Sequence, residues 1–297
     1  MTAERAADSV TVSRVLEELV RTLSDRGLAE PVTEAREILA ALLDVPRFWP
    51  IVNAGVELDT AMHERARVAG TRRARGAPLA YAVGRASFRH LTLDVDERVL
   101  IPRPETEQLV DLVLDETGLE PGGIAIDIGT GSGAIAIALA AEGGYSRVYG
   151  TDISRDAIDV ARHNAGVCAS LLRSPVAFVH GSLLGPLGDL RARVIVSNPP
   201  YIALGEAVAL PPGVRDWEPS VALYGGLDGM STTARLVRDA AGALEPGGLL
   251  AVEVDVRRAS LAADLVGRDP RFHRIRVELD LAGRERFVLA RRRHDSL

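Results

Sequence analysis

Residues 124–133 read Ile-Ala-Ile-Asp-Ile-Gly-Thr-Gly-Ser-Gly, and this stretch decides the fold that the sequence predicts. A mostly apolar strand runs into a glycine-rich loop, and an Ala/Ile-rich helix is expected directly after it, at Ala134–Ala141. Glycine lets the chain turn sharply and lets a ligand approach the backbone without an intervening Cβ. Strand, glycine loop and helix in this order are typical of an open α/β sheet that binds a nucleotide-like ligand.

From this loop onwards the chain alternates between short apolar stretches and helical segments. Two more helices are predicted at Arg155–Ala165 and Thr232–Leu244. Alternation of this kind indicates a largely parallel sheet covered by helices on both faces. The seven strands of the sheet are predicted at Ile124–Ile128, Arg147–Thr151, Val176–His180, Val194–Ser197, Leu249–Val254, Phe272–Glu278 and Arg286–Ala290.

The N-terminal part, residues 1–76, is predicted to form a small helical bundle. Apolar residues recur at three- and four-residue spacing from position 12 to 23, which indicates an amphipathic helix that ends by Gly27. A second helix is expected at Thr33–Leu43, with Thr33 as its N-cap, and a third from about residue 59 to 75. No strand pattern interrupts these helices.

Residues 77–104 differ, because apolar side chains such as Phe88 and Leu91 alternate with polar ones as far as Val99-Leu100-Ile101. This alternation predicts a β-hairpin linker. Its end reads Ile101-Pro102-Arg103-Pro104-Glu105-Thr106-Glu107, and a helix is expected to follow to about Glu116. The predicted organisation is therefore a bundle at 1–76, a hairpin linker at 77–104 and an α/β domain at 105–297.

Composition excludes several classes of protein. The 297 residues carry a formal net charge of −6, which argues against tight, sequence-independent binding to nucleic acid, and no direct DNA binding is expected. The single cysteine, Cys168, excludes an internal disulfide and disfavours a metal site, so no metal is predicted. No apolar run approaches the roughly 20 residues of a membrane span, and the N-terminus has no signal-peptide pattern. A cytoplasmic protein without membrane contact is expected.

The glycine loop fits two kinds of cofactor. Gly129, Gly131 and Ala134 also satisfy a dinucleotide-binding pattern, and a tight turn without a ligand is a further alternative. Two acids favour S-adenosylmethionine. Asp127, placed by the pattern at the mouth of the loop, can receive an ammonium group and would repel a pyrophosphate. Asp152, at the end of the next strand, can accept both ribose hydroxyls.

Other residues near the strand ends complete the predicted cofactor site. The third strand of the sheet leads into Gly181-Ser182-Leu183, where Leu183 is expected to pack against adenine. Ser182 stands where this kind of fold often has an acid that meets the adenine amino group. The remaining predicted cofactor contacts are Thr130, Ser132 and Gly133 of the loop, Ile153 and Asn198.

The tetrapeptide Asn198-Pro199-Pro200-Tyr201 follows the fourth strand and therefore lies at the same edge of the sheet as the glycine loop. A planar nitrogen has a delocalised lone pair and attacks a methyl sulfonium poorly. The Asn198 side-chain oxygen and the Pro199 carbonyl can each accept one N–H, which orients the nitrogen and stabilises its developing positive charge. The prolines stiffen the backbone, and Tyr201 offers a flat face. These four residues are the predicted catalytic residues.

Together these motifs resemble the HemK/PrmC family of N5-glutamine methyltransferases, which modify peptide chain release factors. The Asn-Pro-Pro-Tyr motif is shared with adenine-N6 DNA methyltransferases, whereas Ile101–Glu107 is far more specific to this family. The resemblance covers about residue 78 to the C-terminus, and the helical part is similar in kind. It also includes Glu218-Pro219, Ala222-Leu223, Gly225–Gly229 and Leu244–Gly248.

The resemblance implies a seven-stranded, Rossmann-like class I methyltransferase domain that uses S-adenosylmethionine. It implies that Asn198–Tyr201 bind the glutamine amide of a Gly-Gly-Gln loop and that the N-terminal bundle helps to recognise the release factor. Arg103, Pro104, Glu105 and Thr106 would then line the cofactor site from the hairpin side.

Two departures, Ser182 and Asp255, keep a second substrate class open: the amide or guanidine of a free amino acid in a biosynthetic pathway. A DNA adenine methyltransferase is disfavoured by charge and by the lack of a target-recognition domain. An NAD-dependent oxidoreductase would leave Asn198–Tyr201 without a purpose.

Overall fold

The computed structural model describes residues 9–117 and 121–294, and its packing divides the chain into two compact units. One unit comprises the chain up to Arg85 together with Pro211–Trp217, and the other comprises Ala86–Leu210 and Glu218–Leu297. The three-part division after residues 76 and 104 stays a prediction, since the packing places the first change of unit after Arg85.

The first unit is helical, as predicted. Its elements before Arg85 are β1 (Val10–Thr11), α1 (Val12–Ser24), α2 (Pro31–Leu43), α3 (Trp49–Val52), β2 (Glu57–Leu58), α4 (Thr60–Ala74) and α5 (Leu79–Val83).

Apolar stripes of α1, α2 and α4 form the core of this unit, and Leu19, Ile38 and Ala66 are among its buried members. The helices approach closely, since a Cβ at Gly70 of α4 would lie 2.5 Å from the Leu19 side chain.

Two expectations for this unit are wrong. Thr33 is not an N-cap, because α2 begins at Pro31, whose missing N–H and fixed φ suit the first helical position. A strand pair does interrupt the helices, since Val10 and Thr11 pair with Leu58 and Glu57. Strands of two residues are too short to show an alternating pattern.

The remainder of the chain begins with the predicted hairpin and continues into the α/β domain. Its elements are β3 (Arg85–Phe88), β4 (Leu91–Asp94), α6 (Pro104–Thr117), β5 (Ile124–Ile128), α7 (Ala134–Glu142), β6 (Arg147–Asp152), α8 (Arg155–Val167), β7 (Val176–His180), β8 (Ala192–Ser197), α9 (Pro212–Arg215), α10 (Ser220–Leu223), α11 (Ser231–Ala243), β9 (Leu244–Glu253), α12 (Ala259–Gly267), β10 (Phe272–Leu279) and β11 (Glu285–Arg292). Of these, α9 groups with the helical unit.

The seven-stranded sheet confirms the predicted fold class, with the order β10-β11-β9-β8-β5-β6-β7. β5 to β9 are mutually parallel, and β11 is antiparallel to both β9 and β10. All seven strands occur where the sequence predicts them. β9 begins five residues earlier than expected, at Leu244, because a register shift beside Ala192 lets Glu245-Pro246-Gly247-Gly248 remain within the sheet.

Helices cover both faces of the sheet, also as predicted. On one face, buried residues of α6, α7 and α8 pack against alternate strand residues such as Ala125. On the other face, α11 and α12 pack against residues such as Ile126. The carboxyl ends of β5, β6 and β8 provide the edge on which the site is built. Within the described residues, no helix is both long and apolar enough to cross a membrane.

Candidate functional site

A cavity of about 250 Å³ lies at the carboxyl ends of β5, β6 and β8. β5 pairs with β6 on one side and with β8 on the other, so the strand order reverses here, and ligands of open α/β sheets bind at such a reversal. The predicted site residues that line the cavity are Gly129, Gly131, Asp152, Ile153, Ser182, Leu183, Asn198, Pro199 and Pro200.

The structure places the other predicted site residues outside this lining: Asp127, Thr130, Ser132, Gly133, Tyr201 and Arg103–Thr106. Residues that the sequence did not single out also line the cavity, among them Arg98, Thr232 and Arg235. Val99 and Leu100 are lining residues as well. The predicted hairpin does not extend to them, because β4 ends at Asp94 and the chain from there to α6 is irregular.

The glycine loop has the conformation that its sequence requires. Gly129, Gly131 and Gly133 have φ values of 72°, 53° and 84°, in the left-handed region that favours glycine. A Cβ at Gly129 or Gly131 would meet nothing within 4 Å, so the space above both residues is open. A Cβ at Gly133 would lie 3.0 Å from Ile137, so this glycine serves the packing of α7. The first two glycines leave the backbone accessible to a ligand.

Asp127 lies beneath the loop, not at its mouth as expected. Its side chain is fully buried, and Oδ2 accepts hydrogen bonds from the Thr130 hydroxyl at 2.6 Å and from the Ala136 N–H at 3.2 Å. Oδ1 finds no hydrogen-bond partner within the described parts of the chain. Burial raises the pKa of Asp127 to about 7, and the nearby Asp152 adds to the rise. The structure thus gives Asp127 the role of tying the loop together, and its contact with an ammonium group stays a prediction.

Asp152 ends β6 and faces the cavity. Its Oδ2 accepts from the Gly131 N–H at 3.0 Å, and its Oδ1 accepts from the Ser154 N–H at 2.9 Å. Burial raises the pKa of Asp152, while these backbone donors lower it. A carboxylate has about four lone-pair positions, so acceptor capacity remains for a ligand hydroxyl. Ser154 caps α8 by accepting from the Ala157 N–H, which leaves Asp152 available to a ligand.

The far wall of the cavity is formed by the residues that follow β7. Leu183 has a φ of 50°, unusual for a residue with a branched side chain, and its carbonyl accepts from the Thr151 hydroxyl at 2.9 Å. Such strain is typical of functional sites. Ser182 Oγ accepts from Arg235 Nη2 at 3.3 Å, so a cation lies beside the position where an acid is often found.

Asn198 occupies the first position after β8, and its side-chain amide is held by a residue of α6. Its Nδ2 donates to Thr106 Oγ1 at 3.0 Å, and the Thr106 hydroxyl donates to Glu253 Oε2 at 2.7 Å. One hydrogen of Nδ2 is thus engaged with Thr106, and the side-chain oxygen, at the other end of the amide, is the acceptor that Asn198 offers. Thr106 therefore contacts the predicted catalytic asparagine, where the resemblance implied a contact with the cofactor.

The Asn-Pro-Pro-Tyr backbone is braced by a second glycine-rich segment. The Ile202 N–H donates to the Leu223 carbonyl at 3.0 Å, and the Gly225 N–H donates to the Ile202 carbonyl at 2.9 Å. A Cβ at Gly225 would collide with the Pro200 carbonyl, and one at Gly229 with the Tyr201 carbonyl. The side chain of Tyr201 is half-buried, and burial together with the charge of Glu253 raises its pKa to about 12. Tyr201 is therefore a neutral phenol in this environment.

Arg103 and Glu105 are engaged in ion pairs. Arg103 Nη2 contacts both carboxylate oxygens of Glu218 at 2.6 Å, and the Glu218 side chain is buried. Glu105 lies 3.4 Å from Arg284. These contacts anchor the start of α6 and the segment before α10, and the predicted contact of Arg103–Thr106 with the cofactor stays a prediction.

Comparisons with known proteins agree with this geometry. The model of the PrmC N-terminal domain matches residues 14–84, and the model of the Methyltransferase small domain matches residues 105–209. The chain is 38% identical to a release factor glutamine methyltransferase of Moorella thermoacetica, over 96% of this chain and 100% of the relative.

A second relative and a solved structure extend the comparison. The chain is 39% identical to a release factor glutamine methyltransferase of Deinococcus radiodurans, over 94% of this chain and 97% of the relative. A crystal structure of a methyltransferase from Pyrococcus furiosus shares the fold, with a TM-score of 0.52 and 20% identity over 70% of this chain and 92% of that chain. The resemblance seen in the motifs is thus confirmed over nearly the whole sequence, and the chain belongs to the release factor glutamine methyltransferase family.

Proposed function

We propose that this enzyme methylates the side-chain amide nitrogen of a glutamine in a peptide chain release factor, and that the glutamine belongs to a Gly-Gly-Gln loop. The observation that supports this most directly is the position of Asn198. It lines the cavity together with the glycine loop, and its Nδ2 is bound to Thr106, so the amide oxygen is the acceptor that it offers. An acceptor at that point suits a substrate that carries an NH₂ group.

The cofactor is S-adenosylmethionine, which supplies a methyl group bound to a sulfonium. The cavity residues fit it on structural grounds. Open space lies above Gly129 and Gly131, and Asp152 faces the cavity with spare acceptor capacity for ribose hydroxyls. Leu183 offers an apolar surface beside it for the adenine ring. The cation Arg235 next to Ser182 takes the place of an acid at the adenine end.

The acceptor chemistry follows from Asn198 and Pro199. The Asn198 oxygen and the Pro199 carbonyl each accept one N–H of the substrate amide, which aligns the nitrogen with the methyl group and can supply roughly 7–11 kcal/mol. Both acceptors also stabilise the positive charge that develops on nitrogen. A C–N bond forms as the C–S bond breaks, and the methylated nitrogen then loses a proton to water. No strong base is needed before the attack.

The free amino acid alternative is not favoured by the relatives. Those at 38–39% identity over nearly the whole chain are release factor glutamine methyltransferases. We assign recognition of the release factor to the helical unit, because the matched N-terminal model at 14–84 falls within it. Translation termination would place the reaction in the cytoplasm.

The experiment that tests this function is methyl transfer from labelled S-adenosylmethionine. The purified protein is incubated with a release factor, with the same release factor carrying alanine in place of the loop glutamine, and with free glutamine and arginine. We expect label on the glutamine-containing release factor alone. Label on the free amino acids alone would overturn the proposal.

A further inference from the structure

A buried hydrogen-bond chain joins three elements and ends at Asn198, the predicted catalytic asparagine. Glu253 ends β9, Thr106 lies in the first turn of α6, and Asn198 follows β8. We propose that Glu253 is a positioning residue: it commits the single hydroxyl hydrogen of Thr106, so that Asn198 must present its oxygen, not its NH₂ group, to the substrate. This inference rests on the proposed function of Asn198.

The orientation follows from counting donors and acceptors. The two ends of an asparagine amide have nearly the same shape, so the surroundings decide which end faces a ligand. An ionised Glu253 can only accept, and the 2.7 Å bond to its Oε2 takes the hydrogen of Thr106. Thr106 Oγ1 can then only accept from Asn198, and it does so from Nδ2 at 3.0 Å. A turned amide would bring the oxygens of Asn198 and Thr106 together without a hydrogen between them.

The burial of Glu253 supports a specific role. Its side chain is 1% exposed, and its Oε1 has no hydrogen-bond partner among the residues that the structure describes. A buried carboxylate with an unsatisfied oxygen costs stability, and an apolar residue at the end of β9 would not incur that cost. The acid has a purpose here, because its Oε2 accepts from Thr106. This acceptor fixes the direction of that hydrogen bond and of the one from Asn198 to Thr106.

Charged groups on several elements surround Glu253. Arg286 of β11 and Arg103 before α6 lower its pKa, and Glu105 raises it, but burial is the largest influence and raises the pKa to about 7. Tyr201 is also nearby, since the charge of Glu253 raises the pKa of the Tyr201 phenol. Once protonated, Glu253 can donate to Thr106, which frees the threonine hydrogen for the Asn198 oxygen and turns the amide. Correct orientation therefore requires the ionised form.

The decisive variant is Thr106→Val, which removes the hydroxyl and keeps the shape. We expect it to lower kcat for release-factor methylation about 10-fold to 100-fold, since it loosens an acceptor whose complete loss costs 10² or more. Thr106→Ser should rescue most of that loss. S-adenosylhomocysteine affinity, measured by calorimetry, should stay within about threefold of wild type, because the hydroxyl acts on the acceptor side.

A double variant separates positioning from a general structural role. In an Asn198→Ala background, Thr106→Val should lower kcat less than about twofold further, because the side chain through which it acts is gone. An equal loss in both backgrounds, or full activity of Thr106→Val alone, would overturn the inference. Absence of release-factor methylation by the wild type would instead refute the proposed function.

The pH dependence gives a readout that packing alone would not change. The ratio of kcat for wild type to kcat for Glu253→Gln isolates Glu253, because Asp127, whose pKa is also raised to about 7, is present in both proteins. We expect this ratio to rise with pH and to level off above the pKa of Glu253. A ratio independent of pH between about 5.5 and 8.5 would contradict the inference.

Discussion

Replacement of Asp127 by asparagine should stabilise the ligand-free protein, and increasingly so as the pH rises. Burial raises the pKa of this carboxyl from 3.8 to about 7. Between these values the folded chain holds a proton that the unfolded chain has lost, so the contribution of Asp127 to the free energy of unfolding falls as pH increases. At 1.36 kcal/mol per pH unit the whole interval amounts to about 4 kcal/mol. Nearly all of this cost is present above pH 7.

The assay is urea unfolding of wild type and Asp127→Asn, each at pH 5 and pH 8. From pH 5 to pH 8, the variant is expected to gain about 2–3 kcal/mol relative to wild type, because part of the interval lies below pH 5. Asp159→Asn is the matched control, since it removes the same charge from a side chain that is 65% exposed. A stability difference between wild type and Asp127→Asn that does not change with pH would refute the reasoning.

Three further predictions concern two cavity residues and a glycine that lies against the Tyr201 carbonyl. Asn198→Ala should lower kcat by about 100-fold or more while the calorimetric Kd for S-adenosylhomocysteine changes less than about threefold, and a comparable loss of both would show that Asn198 mainly binds cofactor. Asp152→Ala should weaken S-adenosylhomocysteine binding by about 10-fold or more, because bonds to a charged group contribute about 1.5–3 kcal/mol; unchanged affinity would remove its assigned role. Gly229→Ala should lower kcat and the unfolding temperature, because its φ is 75° and its Cβ would collide with the Tyr201 carbonyl. Gly205→Ala, with nothing within 4 Å of its Cβ, is the control, and equal behaviour of the two variants would contradict the bracing role.

The sheet could be predicted because its strands carry a strong local signal. β5 and β8 are buried on both faces, so each appears as an apolar run bounded by turn residues. β1 and β2 could not be predicted, since their pairing of residue 10 with residue 58 depends on tertiary packing rather than on any periodicity. The start of β9 could not be predicted for a related reason. Pro246 and Gly247 indicate a turn locally, and only the irregular register beside Ala192 keeps them in the sheet.

The site residues likewise differ in whether their local sequence reveals them. Asp152, Asn198 and the glycine loop each belong to a motif that is contiguous in sequence. They line one cavity because the carboxyl ends of parallel strands lie at the same edge of the sheet. The bond from Thr106 to Glu253 joins residues 147 positions apart, and no pattern within one segment reveals it. A signal for Glu253 did exist, because it is an acid directly after the apolar run at residues 249–252.

These three acids show where the fold gives up stability for function. Burial raises the pKa of Asp127, Asp152 and Glu253, and the hydrogen bonds that reach them come from hydroxyl or backbone N–H donors. Acids paired with arginine nearer the surface, such as Glu206 with Arg258 and Asp269 with Arg271, have lowered pKa values instead. An arginine partner would stabilise a buried carboxylate, but it would also occupy the oxygens that bind Thr130, Gly131 and Thr106 and that we assign to these roles. Neutral donors instead hold the three carboxyls in place and leave the acceptor capacity that the proposed roles of Asp152 and Glu253 require.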